Sequence, residues 1–168
     1  MISVVVIGKN EGERLAACLK SIQTALNVLA HEVVYVDSCS TDQSLQTAKT
    51  LGARCFLLAE RQTTAGLGRF VGAKEARGEY LLFLDSDDFF ESELMEHSLN
   101  KIKEDQADVC MYDARLYFGD TGKYRKSNVI QKKEYIPQTM PVEGKSFPYV
   151  FNIGTGCPWT SLFKKSLI

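Results

Sequence analysis

The chain has 168 residues, 45% hydrophobic and 24% charged, with a formal net charge of −1. That suffices for one domain with a real core, and it leaves no global basic field, which argues against nucleic acid as a partner. Five scattered cysteines (Cys18, Cys39, Cys55, Cys110, Cys157) form no C-x-x-C pair and are joined only by His31 and His97. A zinc site is therefore disfavoured and a reducing cytoplasm is the expected setting.

The elements alternate from the first residue. Ser3 to Ile7 is a β-branched run, predicted as a strand. Glu11 to Ala25 places Leu15, Cys18, Leu19, Ile22 and Leu26 at helical spacing. Glu32 to Val36 is a second strand ending in Asp37. Ser40, Thr41 and Asp42 offer an N-cap to a helix over Gln43 to Leu51, which Gly52 stops. Ala53 to Leu58 is a third strand, Thr64 to Ala76 a helix, and Leu81 to Leu84 the apolar body of a fourth strand. Glu91 to Glu104 is a further amphipathic helix. This alternation predicts an α/β sheet with right-handed crossovers.

After Asp108 the character changes. Val109 to Phe118 alternates like one antiparallel strand, and Gly119 to Gly122 is a turn. Residues 123–148, with Pro137, Pro141 and Pro148, read as hairpin and loop. Gly154 to Trp159 reads as a turn leading to Leu162 and Phe163. No apolar run reaches the roughly 20 residues needed to cross a bilayer, and Met1 to Val4 lacks the basic region of a signal peptide. The expected location is cytoplasmic, with peripheral association at the inner face of the cell membrane left open.

The densest chemical signal is at Asp85, Ser86, Asp87 and Asp88. A buried apolar strand running into three carboxylates places them in the crevice where open α/β sheets bind ligands. Carboxylates so close repel one another, and a hard divalent cation relieves this, often with diphosphate oxygens completing its shell. The alternative is that Asp88 caps the next helix and the others are solvated turn residues. Two more polar loops share that edge. In the first, Gly8 allows close backbone approach and the helix start at Glu11 offers N–H groups to an anion; Asn10 could equally cap that helix. In the second, Asp37 could accept hydrogen bonds from a base or ribose, or cap a turn. Arg69 suits phosphate oxygens, or is an exposed helix arginine. The glycines 66, 68 and 72 are spaced G-x-G-x-x-x-G inside a helical pattern, which is not the dinucleotide fingerprint. There is no phosphate-binding G-x-x-x-x-G-K-[ST] loop and no G-x-S-x-G nucleophile elbow.

Taken together, Ser3 to Glu11, Val34 to Asp42, Arg69 to Asp88 and, more weakly, Pro158 to Lys164 resemble the family 2 glycosyltransferases of the GT-A fold. The resemblance is good over about the first hundred residues. It implies a single α/β domain with a mainly parallel central sheet flanked by helices and an antiparallel hairpin in its C-terminal part. Residues 1–107 would form the nucleotide-sugar-binding part and 108–168 a partial acceptor side. It further implies transfer of a sugar, usually with inversion, from a nucleotide-diphosphate donor, a UDP-sugar first among them, to a saccharide or lipid-linked acceptor in bacterial surface polysaccharide synthesis. Mn2+ or Mg2+ would be the cofactor.

By the same resemblance, Ile7, Gly8, Asn10, Glu11, Asp37, Ser38, Arg69, Asp85 and Ser86 line the donor nucleotide. Asp87, with Asp85, faces the metal, and Arg69 and Lys74 assist the leaving diphosphate. Two departures stand out. Ser38 replaces a second acid that commonly reads the base. The general base of the family is expected beyond Ile168, so a fragment that holds a nucleotide-sugar without transferring it is the rival reading, with Asp113 the one nearby substitute. A nucleotidyltransferase would want a Gly-rich, Arg-containing loop after the first strand, which Gly8-Lys9-Asn10-Glu11 does not supply.

Overall fold

Strand β1 (Ile2–Gly8) is buried on both faces, which is why its sequence reads as an unbroken apolar run rather than an alternating one. In the computed structural model, which describes residues 1–61, 63–126, 141–143 and 158–168, Val4 and Val6 enter one core layer and Val5 and Ile7 the other. The first layer is filled by α1 (Gly12–Ala25) and α4 (Leu94–Glu104) through Leu15, Leu19, Ile22, Met95, Leu99 and Ile102. The second lies under α3 (Ala65–Glu75). Here the glycines explain themselves: a Cβ at Gly72 would sit on the Val5 side chain, 3.2 Å from its Cβ, and one at Gly68 would come 3.1 Å from Ile7 Cγ2. The glycines 68 and 72 are packing residues that let α3 lie close to β1.

Around β1 the sheet runs β3-β2-β1-β4-β8-β5, with β2 His31–Asp37, β3 Arg54–Leu57, β4 Tyr80–Asp85, β5 Val109–Met111 and β8 Ser161–Lys164. The pairs β1·β2, β1·β4 and β2·β3 are parallel, while β8 is antiparallel to both β4 and β5. The mainly parallel sheet with flanking helices is thus as expected. So is the C-terminal antiparallel hairpin, formed by β6 (Arg115–Phe118) and β7 (Lys123–Lys126). Helix α2 is Ser44–Thr50.

Two expectations for the C-terminal part are corrected. The single strand over Val109 to Phe118 is two strands in different sheets. β5 ends at Met111 because its partner β8 begins at Ser161, opposite it, after a 3₁₀ turn at Pro158–Thr160. Tyr112 then turns inward, its N–H donating to Thr160 O and its hydroxyl to Trp159 O. Leu162 and Phe163, read only as the end of a turn, are the heart of β8. The readings at residues 127–140, which include Pro137, and at residues 144–157, which include Pro148 and Gly154 to Cys157, lie outside the described residues.

Candidate functional site

Neighbouring strands β2, β1 and β4 end together, with Gly8 registered against Asp37 and Ile7 against Asp85. Strands lie about 4.8 Å apart, so the ends carrying Asp37 and Asp85 stand roughly 10 Å apart across β1. The three predicted loops therefore share one crevice, the position at which open α/β sheets bind ligands.

The first two loops are fastened to each other. Asn10 takes a left-handed conformation, φ 56°, which asparagine tolerates better than most residues. Its N–H donates to Ser40 Oγ at 2.9 Å and its Oδ1 accepts the Thr41 N–H at 2.7 Å. Ser44 Oγ accepts the N–H groups of Glu11 and Gly12, at 3.0 and 3.1 Å. Two expectations fall here. Asn10 does not cap α1, and the Glu11 and Gly12 N–H groups, offered to an anion on the sequence, are taken by Ser44, which caps α1 from a second helix. Of the expected cap of α2, only Asp42 serves it, through the Ser44 N–H at 2.9 Å; Ser40 and Thr41 instead bind Asn10. The hydroxyl and N–H of Ser44 hold the Asp42 carboxyl below its usual range. Glu11 pairs with Arg14 at 2.8 Å, along its own helix.

Asp37 is 1% exposed, with Oδ2 accepting from the Tyr35 hydroxyl at 3.0 Å and Oδ1 from the Ser40 N–H at 2.7 Å. Its observed work is to cap this turn. Burial and the Asp37 charge push the Tyr35 hydroxyl up, so it stays a donor. Ser38, half-buried, donates its N–H to Gly8 O at 2.9 Å. Cys39 adopts φ 64° with its thiol donating to Leu58 O at 3.0 Å.

Gly8 was expected to make room for a ligand. The space over it is filled by Ser86, which is 2% exposed: a Cβ on Gly8 would overlap Ser86 Oγ and lie 2.7 Å from Ser86 Cβ. The Ser86 N–H continues the ladder to Ile7 O at 3.0 Å. The acidic loop is thus seated on the end of β1. Gly8→Ala is expected to cost about 1–3 kcal/mol by overpacking, and Gly8→Ala/Ser86→Gly to recover most of it. Denaturant melts of the two single variants and the double variant give the coupling; strictly additive losses would contradict this seating.

Above that seat the carboxylates diverge. Asp85 Oδ1 receives Arg69 Nη2 at 2.6 Å, the two side chains 32% and 22% exposed, and Arg69 Nε is buried without a hydrogen-bond partner among the described residues. Asp87 is exposed. Asp88 is pushed up to about 6, first by burial and then by the charges of Asp87 and Asp85. The same three acids, after burial, raise the Cys18 thiol beneath them. Among the described residues no three His, Cys, Asp or Glu side chains converge as a metal cage. The oxygen-rich, mutually repelling set nevertheless fits a hard divalent ion that takes the rest of its shell from water or phosphate. Lys74 does not join this group: it is exposed on the last turn of α3, five residues or about 7.5 Å of helix beyond Arg69 and away from the edge. Asp113 is exposed ahead of the hairpin, with Oδ1 accepting the Ala114 N–H at 3.0 Å.

The Asp88 shift predicts a pH effect. A carboxyl whose folded value lies above its unfolded 3.8 contributes stability that is lost as pH rises from about that value to about 6. Glu32 opposes it. Burial would raise Glu32, but hydrogen bonds from Ser3, the Arg77 N–H and Arg54 outweigh this and hold it low, so its contribution is lost as pH falls. Asp88→Asn isolates the first effect. Its stability gain over the parent, measured by thermal melts, is expected to grow from pH 4 to pH 7, and a flat difference would overturn the assignment.

Residues 3–168 match the family model described as glycosyl transferase family 2. The chain is 29% identical over 178 residues to the putative glycosyltransferase EpsH of Bacillus subtilis, covering 99% of this chain and 48% of that protein. It is 30% identical over 173 residues to a poly(ribitol-phosphate) beta-glucosyltransferase of Bacillus spizizenii, covering 99% and 25%. The crystal structure of residues 1–349 of Staphylococcus aureus TarS superposes with a TM-score of 0.75 at 26% identity, covering 99% of this chain and 47% of that one. The same TarS fragment in complex with UDP-GlcNAc gives a TM-score of 0.71. The chain spans about half or less of the length of each.

Proposed function

The chain belongs to glycosyl transferase family 2, and from that premise we propose that its three-loop crevice holds a nucleotide-diphosphate sugar, a UDP-sugar first among them, for transfer to a saccharide or glycoconjugate acceptor. The carrying observation is the registration of Gly8, Asp37 and Asp85 on adjacent strand ends, with Asp87 exposed beside the Arg69–Asp85 pair. The S. aureus TarS complex with UDP-GlcNAc lends the donor class its support.

In this reading the cross-linked first and second loops form a rigid wall for the nucleoside. Asn10, Glu11 and Ser38 border it; Ile7, Gly8, Asp37 and Ser86 support it from beneath. Asp87, with the Asp85 oxygen that does not face Arg69, would hold Mn2+ or Mg2+, which when bound neutralises charge on the leaving diphosphate. Arg69 adds a fork of N–H donors to the same oxygens. In this proposal residues 1–107 form the donor-binding part and residues 108–168 would supply part of the acceptor side. No described helix is long and apolar enough to cross a membrane, and we place the protein on the cytoplasmic side, at or near the inner face of the cell membrane, where sugar nucleotides are found.

The test is calorimetry of UDP-GlcNAc and other nucleotide-sugars with and without Mn2+. Binding that strengthens at least tenfold with Mn2+ is expected; its absence for every uridine and guanosine donor sinks the reading. Release of free sugar or transfer by the 168-residue chain itself would exclude the non-transferring alternative.

A further inference from the structure

The β6–β7 hairpin carries Arg115, Lys123, Arg125 and Lys126 against the single acid Asp120, in a chain of net charge −1. Cross-strand partners share a face. Tyr117 pairs with Tyr124 and Arg115 with Lys126 on one face; Leu116 pairs with Arg125 and Phe118 with Lys123 on the other. Leu116, Tyr117, Phe118 and Tyr124 are 43–52% exposed, and the four cations are exposed beside them. A two-stranded hairpin with this much of both faces exposed is at best marginally stable by itself. Its inner end is fixed to the acidic loop: the Phe89 ring, next to Asp88, stands edge-on to Tyr117 with centroids 5.5 Å apart, and Arg115 pairs with Glu91.

We propose that this hairpin is the docking finger for an anionic saccharide acceptor, a chain of sugars or polyols joined through phosphodiesters. The inference rests on reading the crevice as the donor site. The Arg115 guanidinium lies over the Tyr124 ring, 4.8 Å from its centroid, and Phe89 meets Tyr117; what the two rings leave exposed, close to half of each residue, is offered to the apolar C–H faces of sugar rings. Lys123, Arg125 and Lys126 meet the phosphates by charge-assisted hydrogen bonds. The arrangement favours a chain over a membrane surface. Apolar and cationic side chains alternate on both faces of the finger, which a flexible polymer can follow around, whereas a bilayer meets one plane.

The test uses the intact chain and three probes: a phosphodiester-linked polyol oligomer, an uncharged dextran oligomer, and phosphatidylglycerol vesicles. The polyol phosphate is expected to bind best, with affinity falling as salt rises. Lys123→Glu/Arg125→Glu, placed on the face away from Phe89, is expected to weaken that binding at least tenfold with Mn2+-dependent UDP-sugar binding retained, which also reports the fold. Equal binding of dextran, preference for vesicles, or indifference to the charge reversal would each overturn the proposal. Failure of the polymer to bind while the donor still binds removes this inference alone; loss of metal-dependent donor binding in the parent chain removes the reading beneath it.

Discussion

Asp87→Ala is expected to abolish the Mn2+ dependence of nucleotide-sugar binding, about a 100-fold loss at saturating metal, while leaving the fold intact. The size follows from the 10- to 100-fold cost of losing even an outer partner of a metal site; a direct ligand belongs at the top of that range. The intact fold follows from position. Asp87 is exposed and makes no ion pair among the described residues, whereas Asp85 is held by Arg69 and Ser86 is buried against Gly8. Exposed substitutions away from such features usually stay within about 0.5 kcal/mol. The variant has a second signature. Asp87 is one of the two charges that hold Asp88 up near 6, so its removal should lower the Asp88 value and shrink the stability gain of Asp88→Asn at neutral pH. Calorimetry with and without Mn2+, beside thermal melts, reads both. Retained metal dependence in Asp87→Ala would move the ion elsewhere and dissolve the division of labour among the acids.

What the sequence made legible was set by burial and by range. The runs of β1 and β4 were readable because both faces of each strand are covered, and no competing period interrupts them. The convergence of three polar loops followed from topology alone. What stayed hidden were contacts between residues far apart in the chain. Ser44 caps a helix that begins 32 residues earlier, and nothing local marks it as other than a residue of its own helix. Gly8 signalled a close approach, but one sequence does not say whether ligand or protein approaches, and here Ser86 does. The insertion of β8 between β4 and β5 depends on a four-residue segment too short for periodicity to announce. Val109 to Phe118 keeps its alternation across the break at Tyr112, so the pattern could not show that its sheet partner had ended.

Arg69 and Asp85 give the sharpest remaining test, because the structure offers two readings of one ion pair. If the pair is only structural, removing either partner strips the same contact. Stability should then fall by about 1–2 kcal/mol in each variant, less than the roughly 3–5 kcal/mol of a fully buried pair because both side chains are a fifth to a third exposed. Affinity for UDP and for uridine should then change together. If Asp85 positions Arg69 for the diphosphate, the ligands separate. Arg69→Ala is expected to weaken UDP by 100-fold or more, the scale of losing one well-placed donor to an oxyanion, with uridine nearly unaffected. Asp85→Asn keeps the guanidinium and loses its anchor, so UDP should weaken by a smaller factor, about tenfold, when titrated without Mn2+, where the role of Asp85 toward the metal does not enter. Arg69→Lys should restore little, because a point charge cannot pair with Asp85 and the phosphate together through a planar fork. The buried Arg69 Nε, without a hydrogen-bond partner among the described residues, is a donor that the pair with Asp85 leaves over. Parallel titrations of UDP and uridine without Mn2+ across the three variants decide it, and equal losses for both ligands return Arg69 to a structural role.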